Sequence, residues 1–429
     1  MAQSPEIISE TEITGLGHSG DGVAEIDGRR VYVPYTAPGD RVEIKTAPDE
    51  SDRAELRRIV RYGDGRAAPP CRHYGDCGGC ALQHLSDPFV AAWKRQLIID
   101  ALASRGLHGV AVRPTLTMPA ASRRRAAFTL NHDANGVQIG FHARMSNRLV
   151  SISECCVLDA RIVRALPGLG QLLYPLLRPG QSARLLVTWT ETGLDADVQF
   201  GTGRKSEPNL RQRTQIAAVM ENIDLARLSW NGAVLLERRK PLVMMADTPV
   251  CPPPGAFLQA SEPGQAALTA LVLEAAGRTI LGARGARILD LFAGCGTFTF
   301  PVAAYVRVHA VEGNEAMTEA IRHASRHAQG LKQIEVSQRD LQRAPLRPDE
   351  LSPYGAIIFD PPKAGARAQA EIIARCAIPR VVSVSCAPAT FARDARTLAD
   401  GGYRLVWVAP VDQFRWSAEI ELVALFERD

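Results

Sequence analysis

No uncharged apolar run in this sequence reaches the roughly 18 residues a membrane helix needs. The longest candidate, Leu291 to Val306, is interrupted by Gly294, Gly296 and Pro301. The opening MAQSPEIISE is acidic and lacks the basic and apolar regions of a secretory signal. A soluble cytoplasmic chain with no membrane partner is the expectation. There is no internal repeat and no low-complexity segment. With 46% hydrophobic and 22% charged residues, disorder and collagen-like sequence are excluded. A formal charge of +4 is too small to argue for nucleic acid by itself. The nine cysteines are odd in number and scattered, which does not suit a disulfide framework. Metal binding or thiolate chemistry is the better use for them.

The 429 residues that are present are too many for one compact core, and they read as three parts. Residues 1–65 form a small all-β unit in which VAEID and RRVYVPY alternate between glycines suited to tight turns. The pattern GLGHSGDGVAEIDGRRVYVPYTAPGDRVEI resembles a TRAM domain, which implies an OB-like β-barrel that binds RNA. Residues 1–50 carry four basic and ten acidic side chains, so a barrel that only docks on the rest of the chain is the competing reading. Residues 66–255 read as a β-rich central domain, with RAAFTLNH, VQIGFHAR and SARLLVTWT, ending at the proline run of VCPPPGA. Residues 101–150 carry seven basic side chains and one acidic, a balance that counterion release would turn toward a polyanion. Arg123, Arg124, Arg125, Arg144 and Arg148 are therefore expected on an RNA surface. Residues 256–429 alternate short β-branched runs with alanine-rich stretches, the βαβ rhythm of a doubly wound α/β sheet. YRLVWVAPVDQF and AEIELVALFER leave little room for a helix between them. They predict a terminal antiparallel pair, the ending typical of a Rossmann-like class I methyltransferase domain.

LDLFAGCGTFTF places an acidic residue and a Gly-x-Gly turn, with Gly294 and Thr297, between the first strand of that domain and a helix. Glycines there let a ligand approach the backbone. Glu312 ends the next strand, about 20 residues on, where a carboxylate can take both ribose hydroxyls of an adenosine. A dinucleotide enzyme would want a third glycine near 299, and Thr299 stands there, which favours S-adenosylmethionine over NAD. Asp340 and Asp360 close the third and fourth strands at the same edge.

VVSVSCAPATFARDA ends the fifth strand with Cys386, just ahead of Pro388 at the start of a helix. A helix N-terminus stabilises negative charge, so a lowered thiol pKa is expected there. A nucleophile suits methylation of a pyrimidine at carbon 5, which is too electron-poor to attack a methyl sulfonium unaided. Thiolate addition at carbon 6 makes carbon 5 nucleophilic, and a base must then remove the carbon-5 proton so that the thiol leaves. Glu419 or Glu421 could be that base; read as one strand, both face the same way, so proximity does not choose between them. Enzymes acting on exocyclic amines use a similar Asp-Pro-Pro loop without a cysteine. Cytosine-5 enzymes carry a cysteine where this chain has Asp360-Pro361-Pro362-Lys363. Uracil fits best.

PPCRHYGDCGGCALQH clusters Cys71, Cys77 and Cys80, and Cys155 or Cys156 could add a fourth thiolate. Four thiolates suit an iron–sulfur cluster or structural zinc, although His73 or His84 would alter a zinc site. Taken whole, the chain resembles the bacterial RNA uracil-5-methyltransferases, in particular the TRAM-bearing 23S ribosomal RNA branch. That resemblance implies a 4Fe-4S cluster on Cys71, Cys77, Cys80 and Cys155, with Cys156 in the place usually taken by proline. It implies S-adenosylmethionine contacts from Gln259 of AFLQAS, Phe292, Glu312 and Asp360, a nucleophile at Cys386 and a base at Glu421. Glu419 stands where a histidine is usual. The implied partner is RNA, 23S rRNA before tRNA, acted on by a monomer. The non-enzyme alternative is an RNA-binding iron–sulfur protein on a decayed methyltransferase fold.

Overall fold

The computed structural model describes residues 7–46, 52–134, 136–201 and 208–428. Residues 1–6, which begin the acidic opening, and Asp49 and Glu50 of the acidic segment lie outside the described residues. Strands Ile7–Glu12, Arg41–Thr46 and Ala54–Arg61 pair antiparallel in one small sheet, and Gly15–Leu16, Gly22–Ile26 and Arg29–Val33 in a second. Their inward alternate residues, Ala24, Val31, Val33, Val42 and Ile44, share one core. Asp27 and Gly28 both hold positive φ, as a two-residue hairpin turn requires. This is the expected TRAM barrel. It docks through Asp21, almost fully buried, which pairs with Arg144 of the central domain.

The central domain is a seven-stranded sheet from Arg125–Asp133 to Ala233–Glu237, with helices Ala160–Leu173 and Leu210–Asn222 contributing to its apolar core. The last seven strands of the chain form one doubly wound sheet, the kind expected of a class I methyltransferase domain. They are β1 (Arg287–Leu291), β2 (Arg307–Glu312), β3 (Ile334–Gln338), β4 (Ala356–Phe359), β5 (Arg380–Ser385), β6 (Arg404–Asp412) and β7 (Glu421–Glu427). Their order is β3-β2-β1-β4-β5-β7-β6, with β7 antiparallel to both neighbours. Strands β1, β4 and β5 are buried along almost their whole length, as expected of central strands of a parallel sheet covered on both faces. The expected α/β class and the antiparallel ending are both present.

One segment crosses the boundary drawn from the sequence. Helix Asp87–Ala103 and strand Leu116–Thr117 lie within 66–255, yet the helix packs Ile98 and Leu102 into the core of the C-terminal sheet and the strand extends that sheet beside β6. Lys94, fully buried, reaches Asp412 at 2.6 Å and fixes the helix to the end of β6.

Candidate active site

Every proposed cofactor residue except Gln259 lies at the carboxyl edge of this sheet, where open α/β sheets bind ligands. Phe292 follows β1 with φ at 62°, and Gly294 at 57° completes a left-handed turn that keeps its Cα side open. A Cβ on Gly296 would meet the Phe300 ring at 2.5 Å, so glycine there permits helix–strand packing. Thr297 lies in the same turn. Glu312 ends β2 and accepts from the backbone N–H of Gly294 at 2.9 Å and of Asn314 at 2.8 Å. These two bonds fix the carboxylate and leave lone pairs for further donors. Asp340, exposed two residues past β3, accepts from Gln342 N–H at 3.0 Å. Thr299, where a dinucleotide site would have glycine, donates to Asp290 at 2.5 Å. Among the described residues the other Asp290 oxygen is buried without a hydrogen-bond partner. Burial pushes the Asp290 carboxyl up to about 7, and burial beside Asp290 does the same to Asp360.

Cys386 follows β5, and helix Pro388–Asp400 begins two residues later. The expected lowering of its pKa is not found. Burial pushes the thiol up to about 11, the carboxyls of Glu421 and Asp360 add to this, and Lys363 opposes it. The sequence shows the helix end but not the burial. A cavity of about 480 Å³ opens on Cys386, lined also by Lys363, Glu419, and His18 and Ser19 of the barrel.

The two candidate bases separate clearly. Glu421 is the first residue of β7 and 3% exposed, whereas Glu419 precedes the strand, because the chain turns at Trp416 with φ at 60°. The reading of both on one strand face is thereby corrected. The Glu419 side chain is 49% exposed and both its oxygens lie 2.9 Å from Lys363 Nζ. Burial raises the Glu421 carboxyl well above its usual value, Asp360 and Glu419 add to this, and a hydrogen bond from Gln413 offsets part of it. Gln259 is buried away from the open cavity, its side-chain oxygen 2.7 Å from Gln413 Nε2.

Cys71, Cys77, Cys80 and Cys155 line a second cavity, of about 200 Å³, together with His73 and Arg123. The loop carrying the first three docks on the sheet edge: Gly78 N–H donates to His142 O at 2.9 Å, and a Cβ on Gly78 would come within 2.8 Å of that oxygen. His84 is committed elsewhere, with its ring nitrogens 2.6 Å from Tyr74 Oη and 3.0 Å from Thr36 O. Among the described residues no group of three or more His, Cys, Asp or Glu side chains is arranged to hold a metal ion.

The arginine run is not a surface. Arg124 is buried and donates to Gln259 O at 3.2 Å and Gln265 Oε1 at 2.7 Å. Arg123 bridges Leu158 and Ser261, and Arg125 donates to Gly255 O at 3.3 Å. All three tie the central domain to the segment that leads into the methyltransferase sheet. Arg144 is paired with Asp21, and Arg148 alone of the five stands well exposed, 3.1 Å from Asp76.

Known proteins resemble this chain over nearly all of its length. It is 40% identical over 417 residues to a protein of Brucella suis described as an uncharacterized RNA methyltransferase, covering 97% of each chain. It is 33% identical to the 23S rRNA (uracil(1939)-C(5))-methyltransferase RlmD of Halomonas elongata, covering 97% of this chain and 89% of that one. Residues 255–429 match the tRNA (Uracil-5-)-methyltransferase family, and residues 9–54 match the TRAM domain of tRNA (uracil(54)-C(5))-methyltransferase. The chain belongs to the RNA uracil-5-methyltransferase family. The fold of this uracil-5-methyltransferase is also that of the Pyrococcus abyssi tRNA (uracil-54, C5)-methyltransferase, solved in complex with S-adenosyl-L-homocysteine. The two align with a TM-score of 0.74 at 23% identity over 97% of this chain and 99% of that one. Among the described residues of the methyltransferase, no helix is long and apolar enough to cross a membrane.

Sequence reasoning missed Gln413 and gave no role to Lys363. Gln413 sits in a turn after β6, where no periodicity marks it. Lys363 was visible only as the last residue of Asp-Pro-Pro-Lys, and its pairing with Glu419 spans 56 residues.

Proposed function

We propose that this protein methylates carbon 5 of a uridine in RNA, with 23S rRNA as the substrate, using S-adenosylmethionine, Cys386 as nucleophile and Glu421 as base. The observation that carries the reading is that β7, antiparallel to β5 with Leu422 opposite Ser385, sets the buried Glu421 across from the Cys386 thiol at the carboxyl edge of a class I sheet. The Asp360 carboxyl of the β4 loop also acts on that thiol. A base is most effective with a pKa near the working pH, and a buried, raised carboxyl meets that need better than one spread into solvent on a lysine. The Cys386 thiol gives up its proton to solvent, its sulfur pair forms the bond to carbon 6, and the carbon 5–carbon 6 π pair shifts into the ring enolate, which makes carbon 5 nucleophilic. When bound, S-adenosylmethionine supplies the methyl group as an electrophilic sulfonium. Glu421 then takes the carbon-5 proton, the ring double bond re-forms and the sulfur leaves.

The cradle fits that cofactor. Gly294 leaves open space beside Glu312, whose free lone pairs suit ribose hydroxyls, and the unpartnered Asp290 oxygen beside Asp360 suits a cationic ligand. Gln259, Phe292, Gly294, Thr297, Glu312, Asp340 and Asp360 would hold it.

Cys71, Cys77, Cys80 and Cys155 would hold a 4Fe-4S cluster. What supports this reading is that all four thiols line one cavity, with the Arg123 guanidinium to offset their charge. There it would close a cross-link between residues 71 and 155.

The relative named for 23S rRNA supports ribosomal RNA as substrate, and the tRNA-named family matches support tRNA as the second reading. The enzyme would act in the cytoplasm as a monomer. Mapping 5-methyluridine in ribosomal and transfer RNA from a deletion strain tests the assignment. Loss of one 23S rRNA methylation with tRNA unchanged is expected; loss confined to tRNA reverses the substrate, and loss of neither overturns the reading.

A further inference from the structure

Three buried side chains from distant parts of the chain meet beneath the nucleophile: Gln259, Gln413 and Glu421, each no more than 3% exposed. The Ala260 N–H can only donate, and it points to Gln413 Oε1 at 3.0 Å. That contact orients the Gln413 amide and leaves its NH2 group for two acceptors. One is Gln259 Oε1, at 2.7 Å; the other hydrogen is left for the Glu421 carboxyl, which begins β7 paired with Val411, two residues before Gln413. Because Gln259 accepts through its oxygen, its own NH2 is directed elsewhere and, among the described residues, meets no acceptor, so it can donate to a ligand.

The space for this arrangement is built. Gly264 lies in the first turn of helix Glu262–Ala276, where glycine costs about 1 kcal/mol relative to alanine. A Cβ there would come within 2.8 Å of both Gln413 Cβ and Gln413 Oε1. The residues on either side are held as well, since Lys94 Nζ donates to the Asp412 carboxylate at 2.6 Å and to Phe414 O at 3.2 Å.

We propose that Gln413 is a positioning residue that couples the cofactor side of the site, through Gln259, to the base Glu421. The inference rests on the roles given to those two residues under the proposed function. Bound cofactor that engages the Gln259 NH2 locks the same amide chain that aims Glu421, so the base is set only when the methyl donor is in place. Loss of the Gln413 donor removes a bond to the ionised carboxylate and leaves Glu421 facing Asp360, Glu419 and Cys386. Its protonated form then persists to higher pH.

Gln413→Glu keeps the acceptor for Ala260 N–H and loses both donors; Gln413→Leu keeps the volume and guards against a folding defect in the first variant. Full-length protein is mixed with RNA substrate and methyl-labelled S-adenosylmethionine, and release of the methylated adduct is followed on denaturing gels across pH 6–9. Loss of a bond to a charged acceptor should slow release roughly ten- to hundredfold. The pH of half-maximal release should rise, and S-adenosyl-L-homocysteine should bind more weakly. Glu421→Gln serves as the reference. If it traps the adduct while both Gln413 variants release within twofold of the parent at unchanged pH dependence, the coupling is refuted. If Glu421→Gln itself traps nothing, the assignment of the base fails and the coupling falls with it.

Discussion

Replacing Glu421 by glutamine keeps the size of the side chain at the head of β7 and removes only its capacity to take a proton. The base acts after methyl transfer, so the variant should form the Cys386 adduct, methylate it and then stall. General bases contribute about 10²–10⁴-fold, equivalent to about 3–5 kcal/mol of barrier. An adduct that normally resolves within one turnover would therefore persist for hundreds of turnovers. Glu419→Gln perturbs the same cavity differently. It breaks an ion pair whose members are 66% and 49% exposed, and such pairs are worth at most about 1 kcal/mol. Less than about a tenfold change in turnover follows. The assay is a denaturing gel of each variant with substrate RNA and methyl-labelled cofactor, where the trapped species carries both label and protein. Accumulation with Glu419→Gln and not with Glu421→Gln would refute the assignment. Methylation by Cys386→Ala would refute the covalent route altogether.

Three other outcomes are expected. The Cys386 thiol, pushed up to about 11, should be alkylated by iodoacetamide with a rate that climbs through pH 9–11, and Lys363→Met, which removes the cation favouring the thiolate, should slow labelling at pH 9. A rate independent of pH below 9 would show a thiolate already formed. Anaerobically purified protein should be brown with broad visible absorbance, and Cys155→Ser should destabilise it more than Cys156→Ser; stoichiometric zinc without iron would overturn the cluster. Arg124→Ala should cost about 1.5–3 kcal/mol in unfolding by urea and leave the salt slope of RNA binding unchanged, whereas Arg148→Ala should spare stability and reduce that slope by about one.

What the sequence makes legible here is what acts locally. The β4 run Ala-Ile-Ile-Phe and the glycine turn after β1 announce a parallel sheet with a ligand edge because burial on both faces demands an unbroken apolar strand, and each such run is contiguous. The three cysteines between 71 and 80 are visible for the same reason. The readings that changed depend on contacts between distant segments. Arginines 123 to 125 look like a basic patch on a line of text, but in space Arg123 folds back on the Arg125 carbonyl while Arg124 and Arg125 donate to Gln259, Gln265 and Gly255 at the domain junction, so their charge is turned inside the protein. Helix Asp87–Ala103 was read with the central domain it adjoins in sequence, and only the bond from Lys94 across 318 residues to Asp412 shows where it belongs.

The two glutamates show how a single local error propagates. A period of two is valid only while the chain stays extended, and Ser417 interrupts it, donating to Phe414 O at 3.0 Å and accepting from Glu419 N–H at 3.2 Å. Two residues of offset then separate a solvent-facing partner for Lys363 from a buried carboxyl beside the thiol. The same burial that lifts Glu421 toward the range of a useful base lifts Cys386 away from the thiolate. Under the proposed mechanism the Cys386 thiol stays protonated until substrate enters, and its proton then passes to solvent. Once the carbon–sulfur bond forms, the negative charge is carried by the ring enolate rather than by sulfur beside the carboxyls.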